Sequence, residues 1–194
     1  MRLLRADFYN RSPLAVAPDL LGKILVRKLN GSTISGRIVE VEAYVAFIDE
    51  AAHSFIGKTK RNTSLFLPAG HAYVHRIHMQ HCLDIVVEKA DIPSSVLIRA
   101  LEPIDGIDMM RKFRGKEGLV DLTSGPGKLS QALRITTELD GIDITEPNSV
   151  ISIIDDGFIP QEIISGKRVG LSKAQDASYR FYIKDNPYVS RKGS

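Results

Sequence analysis

Residues 34–54 read ISGRIVEVEAYVAFIDEAAHS, and their first half alternates in the manner of a β-strand. Val39, Val41 and Ala43 are expected to point one way, and Glu40, Glu42 and Tyr44 the other. A core behind the three apolar residues leaves two carboxylates and an aromatic ring on the second face. Nine residues after Tyr44, in the run Asp49-Glu50-Ala51-Ala52-His53-Ser54, comes a histidine. Glutamates on a half-buried strand ordinarily face solvent, and a single histidine is more often structural than catalytic. A carboxylate, an aromatic ring and an imidazole arriving together are nonetheless the materials of a hydrolytic pocket for a flat substrate.

The neighbouring text places this strand in a sheet. Before it, Ser12-Pro13 opens a helix that Gly22 closes, with a kink expected at Pro18. Residues 22–29 then read as a strand, and Asn30-Gly31 turns it back, antiparallel, into the central one. After it, residues 55–70 are loop-like and basic, with Lys58, Lys60 and Arg61, and residues 71–77, 83–87 and 95–101 form a meander. In the last of these Arg99 shares a face with Leu97 and Leu101, so its guanidinium needs a carboxylate or an anion from outside. From Glu102-Pro103 the spacing of Ile104, Ile107 and Met110 predicts a helix. Residues 122–134 predict another, with Ser124 as N-cap and Lys128 in a first turn suited to phosphate. Short strands at 150–154 and 180–183 complete an α+β domain around an antiparallel sheet.

The chain has 194 residues, 43% of them hydrophobic, enough for one domain, 1–194, with a sizeable core. Its net charge of +3, from 26 basic and 23 acidic residues, is compatible with a polyanionic partner. No run has the length of a membrane span, and MRLLRADFYN lacks the apolar core of a signal peptide. The single cysteine, Cys82, excludes an internal disulfide framework and suits a reducing cytoplasm. His71, His75, His78 and His81, with Cys82 and Asp84, admit a metal-site reading. Strand parity sets His78 opposite the other three, so they cannot converge without a turn.

Glu42-Ala43-Tyr44 followed by residues 49–54 resembles the active-site segment of the alkyladenine (3-methyladenine) DNA glycosylase family, in its bacterial form. The likeness runs from about residue 13 to residue 190 through short strings in the family's order: Leu20-Leu21-Gly22-Lys23, Arg61-Asn62, Pro68-Ala69-Gly70, residues 97–103, Ser124-Gly125-Pro126, Arg168-Val169-Gly170 and Asn186-Pro187-Tyr188. The resemblance implies a monomeric single domain with a curved antiparallel sheet and flanking helices, a fold like a formyltransferase C-terminal domain, and no cofactor or metal. It implies a cytoplasmic repair enzyme, nucleoid-associated while acting, whose partner is damaged double-stranded DNA. Such an enzyme flips a damaged purine (alkylated, deaminated or etheno) out of the duplex and hydrolyses its N-glycosidic bond. Glu42 matches the general base that activates water. Tyr44 and His53 match residues that stack the flipped base, Arg99 an arginine near the nucleotide backbone, and Arg61 and Lys128 lie in matching strings expected on the DNA side.

Residues 73–86 depart from the family pattern, with one residue missing before His81. His75 stands for a second stacking tyrosine, His78 for the tyrosine wedge that fills the gap left by the flipped base, and Asp84 for an asparagine that helps exclude guanine. An ionised aspartate can only accept, so a purine 2-amino group is expected to be tolerated better. The alternative readings are a damage-binding protein without catalysis, and a metal-binding protein using the His71–His81 run.

Overall fold

Two skipped residues organise the sheet. The computed structural model describes residues 1–190; the last four residues of the domain expected over 1–194 lie outside them. The central strand β3 (Ser32–Tyr44) pairs antiparallel over residues 35–44 with β6 (Ser94–Asp105), and at the middle of that ladder Val39 and Arg99 have no opposite partner. Such irregularities increase local twist and re-aim side chains. Here they switch the faces of both strands in step. Ile34 and Ile38 lie in the main core with Val41 and Ala43, and Leu101 lies there with Val96 and Ile98. Val39, expected beside Val41 and Ala43, is buried but lies outside that cluster.

The other edge of β3 is shared. Its first half pairs with β2 (Ile24–Leu29) through the expected Asn30-Gly31 hairpin, and residues 40–42 pair with β9 (Arg180–Ile183). Around this centre the described residues form a nine-stranded sheet, antiparallel at every pairing. It continues through β7 (Ile151–Asp155) to β1 (Arg2–Leu3) on one side, and through β5 (Gln80–Val87) to β4 (Ala72–Ile77) on the other. The strand β8 (Ile163–Gly166) extends β9.

After the short helix α1 (Ala6–Tyr9), helix α2 (Pro13–Leu20) starts on Ser12, whose hydroxyl accepts the Leu14 amide, and it continues through Pro18. Helix α2, with α3 (Ile107–Arg114), α4 (Leu119–Thr123) and α5 (Pro126–Ala132), covers one face of the sheet. Val16, Leu20, Met110, Leu122, Leu129 and Leu133 seal that core. No helix among the described residues is long and apolar enough to cross a membrane.

Two expectations fail for physical reasons. Strand β6 does not stop at Leu101 but runs on to Asp105, because beyond Leu97 its outer edge has no strand partner and tolerates Pro103. The helix then begins after Gly106, at φ 72°, where a Cβ would meet the Thr33 carbonyl oxygen at 2.9 Å. The helix expected over 122–134 is two helices, with Ser124 closing α4 and Gly125, at φ 155°, opening α5.

Candidate active site

The second face of the sheet carries a cross-strand row: Glu42 opposite Leu97, Leu97 opposite Asp84, and Asp84 opposite Tyr73. With strands about 4.8 Å apart, Glu42 and Asp84 sit roughly 10 Å from each other on the backbone. This face is polar yet shielded from water. Glu40 and Glu42 are both fully buried, against the solvated expectation for a half-buried strand. Residues 45–66, 167–171 and the segment to Ser190 lie over it. Asn62 braces the first of these, donating to the His53 and Gly57 carbonyls at 3.0 and 2.9 Å and accepting the Thr59 amide at 2.6 Å.

Buried charge here is paired throughout. Arg99 Nε donates to Glu40 Oε1 at 2.8 Å, and its Nη1 lies 3.2 Å from Glu42 Oε1. Arg99, matched in sequence to an arginine near the nucleotide backbone, is therefore inside the protein between two carboxylates. Glu40 also takes Arg180 Nε at 2.8 Å and the Ser190 amide at 2.6 Å. Glu42 Oε1 accepts the Val169 amide at 2.7 Å, and Oε2 accepts the Tyr44 hydroxyl at 2.9 Å. Burial opposes ionisation of both acids. At Glu40 the arginines and the Ser190 hydrogen bonds win, and its carboxyl is held below the ordinary range. At Glu42 burial wins, with Glu40 adding to it, so the carboxyl is pushed up despite Arg99, Val169 and Tyr44. A carboxylate lifted toward working pH is a better general base than an ordinary one.

The loop that donates the Val169 amide is clamped. Arg168 makes a two-armed ion pair with Asp49, donates to the Ala43 carbonyl at 3.0 Å, and sets its guanidinium 4.6 Å from the Tyr44 ring centroid and 5.3 Å from that of Tyr179. Burial works against this charge, but Asp49 more than offsets it and holds the guanidinium above its ordinary value.

Tyr44 separates Glu42 from a cavity of about 80 Å3 whose lining includes Tyr44, His53, Tyr73, His75, Asp84 and Leu171. The rings pack on one another. Tyr73 and His75 stack with centroids 4.8 Å apart, and His53 meets His75 at 78° and 4.4 Å. His53 Nδ1 is 3.1 Å from the Tyr73 hydroxyl, and burial, reinforced by His75, pushes its pKa down, which favours the neutral ring. Asp84 accepts His75 Nε2 at 2.9 Å and the Ser95 hydroxyl at 3.0 Å. His53, Tyr73 and His75 also border a wider groove of about 960 Å3 that takes in Arg61, Arg76 and His78.

Tyr44, His53, His75 and Asp84 are thus brought together, Glu42 lies directly behind Tyr44, and Arg61 and His78 line the adjoining groove. His78 is the left-handed residue, φ 53°, of the β4–β5 hairpin tip, beside the 86% exposed Met79. Lys128 stands apart on α5, 3.2 Å from the Ser124 hydroxyl, although α5 begins against that hairpin: a Cβ on Gly127 would collide with the Gln80 side chain. The histidine run does not converge. His71 bonds the Pro68 carbonyl, His75 bonds Asp84, and no group of three or more metal-binding side chains exists among the described residues.

Residue-by-residue reading missed Tyr73, Ser95, Asp49 and Arg168 as site components. Tyr73 was findable, since it shares strand parity with His75. The Asp49–Arg168 pair spans 119 positions and leaves no local signal.

Fold and site together define an α+β domain with a buried carboxylate behind a ring-lined cavity. Residues 7–187 match the family model for methylpurine-DNA glycosylase. The chain is 47% identical to a protein of Methanoculleus marisnigri over 97% of this chain and 99% of the relative. It is 45% identical to one of Alkaliphilus oremlandii, again over 97% and 99%, and 44% identical to one of Clostridium perfringens over 99% and 100%. Each of these is provisionally named a 3-methyladenine DNA glycosylase. The chain belongs to the methylpurine-DNA glycosylase family.

Proposed function

We propose that this protein is a monofunctional DNA glycosylase that acts as a monomer, flips a damaged purine out of double-stranded DNA and hydrolyses its N-glycosidic bond. The observation that carries the mechanism is Glu42: a fully buried carboxylate with a raised pKa, held by the Val169 amide and Arg99, one hydroxyl away from the cavity. In this reading Glu42 takes a proton from the attacking water, and its negative charge favours the cationic sugar that develops as the bond breaks. Arg99 serves the carboxylates rather than the phosphate backbone. Tyr44 and His53 form the walls against which the extruded base rests. Arg61 and His78, along the adjoining groove, face the duplex, and the water nucleophile leaves an abasic site. The enzyme works in the cytoplasm on chromosomal DNA.

A single-turnover assay tests this on labelled duplexes with one central hypoxanthine, ethenoadenine or methylated purine, cut at abasic sites by alkali. Wild type should yield alkali-sensitive product, and Glu42→Gln should lose it by about two to four powers of ten while still binding DNA. Binding by both proteins with no abasic sites on any lesion refutes the catalytic reading and leaves a damage-binding protein. A borohydride-trapped covalent adduct refutes the use of water.

A further inference from the structure

A segment remote in sequence reaches the charged centre of the site. At Asn186 the side-chain amide donates to Glu102 Oε2 at 3.2 Å, and Oδ1 takes the Tyr188 amide at 3.0 Å. Four residues on, Ser190 makes three contacts. Its amide donates to Glu40 Oε2 at 2.6 Å, its hydroxyl donates to Glu40 Oε1 at 2.9 Å, and Arg99 Nη2 donates to that hydroxyl at 3.3 Å. A carboxylate only accepts, so the hydroxyl hydrogen goes to Glu40 and the lone pairs face Arg99. The guanidinium is a rigid planar fork. With Nε held by Glu40 at 2.8 Å and Nη2 by Ser190, the direction of its third nitrogen is settled, and Nη1 stands 3.2 Å from Glu42 Oε1.

We propose that Ser190 and Glu40 are positioning residues for the reaction: together they fix two corners of the Arg99 guanidinium and so aim the third at Glu42, the carboxylate that activates water. The proposal rests on the glycosylase reading above. Neither residue lines the cavity or the groove, so their effect on the reaction passes through Arg99. The arrangement also lets one arginine serve two buried acids. Glu40 takes Arg180 Nε at 2.8 Å and two hydrogen bonds from Ser190, so Arg99 is not its sole support and remains shared with Glu42. Without the Ser190 hydroxyl the guanidinium can swing about its Nε anchor, and the contact of Nη1 with Glu42 loosens. Glu42 is faced by Arg99 on β6, Glu40 and Tyr44 on β3, Arg180 opposite it on β9, and Arg168 of the covering loop. Cys82 on β5 also faces it, with a thiol pushed up to about 12 by burial. Of these charges Arg99 favours the ionised form of Glu42 most.

The test follows single-turnover excision across pH on the lesion duplexes above, with DNA affinity and melting temperature, for the full chain and its Ser190→Ala, Ser190→Cys and Ser190→Thr variants. Ser190→Ala should lower the plateau rate about tenfold and leave affinity for the lesion duplex at the wild-type value. Its acid limb should move to higher pH, because a Glu42 less well paired with Arg99 holds its proton longer. Ser190→Cys, which fills the same space with a weaker donor, should behave like Ser190→Ala, and it decides the matter should the alanine variant fail to fold. Ser190→Thr keeps the hydroxyl and should restore both rate and acid limb. A Ser190→Ala protein that melts lower but keeps the wild-type rate and acid limb, or a Ser190→Cys protein that matches wild type, overturns the assignment, since the segment then only packs. Affinity falling in step with rate overturns it in favour of a direct DNA contact. Wild type that makes abasic sites while the variants leave rate and acid limb unmoved defeats this inference alone. Wild type that makes none on any lesion defeats the glycosylase reading, and this inference with it.

Discussion

Replacing Arg99 by methionine removes the cation that two buried carboxylates share. Arg99 is 6% exposed and within 2.8 Å of Glu40 and 3.2 Å of Glu42. Glu40 keeps Arg180 and Ser190, whereas Glu42 keeps only the Val169 amide and the Tyr44 hydroxyl. Breaking one side of a buried ion pair typically costs about 3–5 kcal/mol, and the retained partners of Glu40 place this case near 3. At roughly 2–4 °C per kcal/mol for a chain of this size, the melting temperature should fall by about 10 °C.

The cost depends on pH in a defined direction. Glu42 already has a folded pKa above its unfolded one, and losing Arg99 lifts it further. An acid raised in this way is protonated in both states at low pH. It then penalises the folded state as pH rises from the unfolded pKa through the folded one. The Arg99→Met deficit in urea denaturation should therefore be largest at neutral pH and shrink as pH falls toward the ordinary carboxylate range. In a Glu42→Gln background the same substitution should cost less, because the stranded charge is gone. In single-turnover kinetics the acid limb of the Arg99→Met profile should move to higher pH. A deficit below about 1 kcal/mol, or one unchanged by pH and by Glu42→Gln, would refute the pairing as the source of Glu42's ionisation.

Arg168→Lys loses the two-armed bond to Asp49 and the flat contact with Tyr44, so the Val169 amide drifts from Glu42; the single-turnover rate should fall by about a hundredfold while DNA affinity stays near wild type. A proportional loss of affinity would point instead to a direct DNA contact. At the β4–β5 hairpin tip, Met79→Ala and His78→Ala should slow excision from duplex DNA by about tenfold and leave single-stranded substrates little changed, since only the duplex has a gap to fill. Equal slowing on both substrates would remove the tip from the flipping step.

Much of this site was legible in the linear text. The alternation of residues 40–44 places Glu42 and Tyr44 on one strand face, and Asn30-Gly31 makes the hairpin whose register the structure shows from Ile24 opposite Arg37 to Leu29 opposite Ser32. These are local matters, decided by side-chain parity and by backbone conformations that only certain residues reach. The family resemblance likewise points to His53, and to His75 and Asp84 as replacements at family positions, and the cavity brings them together with Tyr44.

Strand parity is enough to put Glu40, Glu42 and Tyr44 on one face, and the short strings are enough to point to the family. The faces of Val39 and Arg99 and the electrostatic state of the carboxylates follow from the folded sheet. The same Glu40-Val41-Glu42 triplet would be solvated on an open sheet; here covering loops bury it, and charges from far along the chain make that burial tolerable. Arg99 illustrates the gap. From the sequence its guanidinium had two acceptable partners, a carboxylate or a phosphate, and the skipped pairings at Val39 and Arg99 turned it to the carboxylates. The Asp49–Arg168 clamp and the Val169 amide on Glu42 join positions more than a hundred residues apart. Ion pairing depends on separation in space and on exclusion of water, and neither is written in the order of residues along a chain.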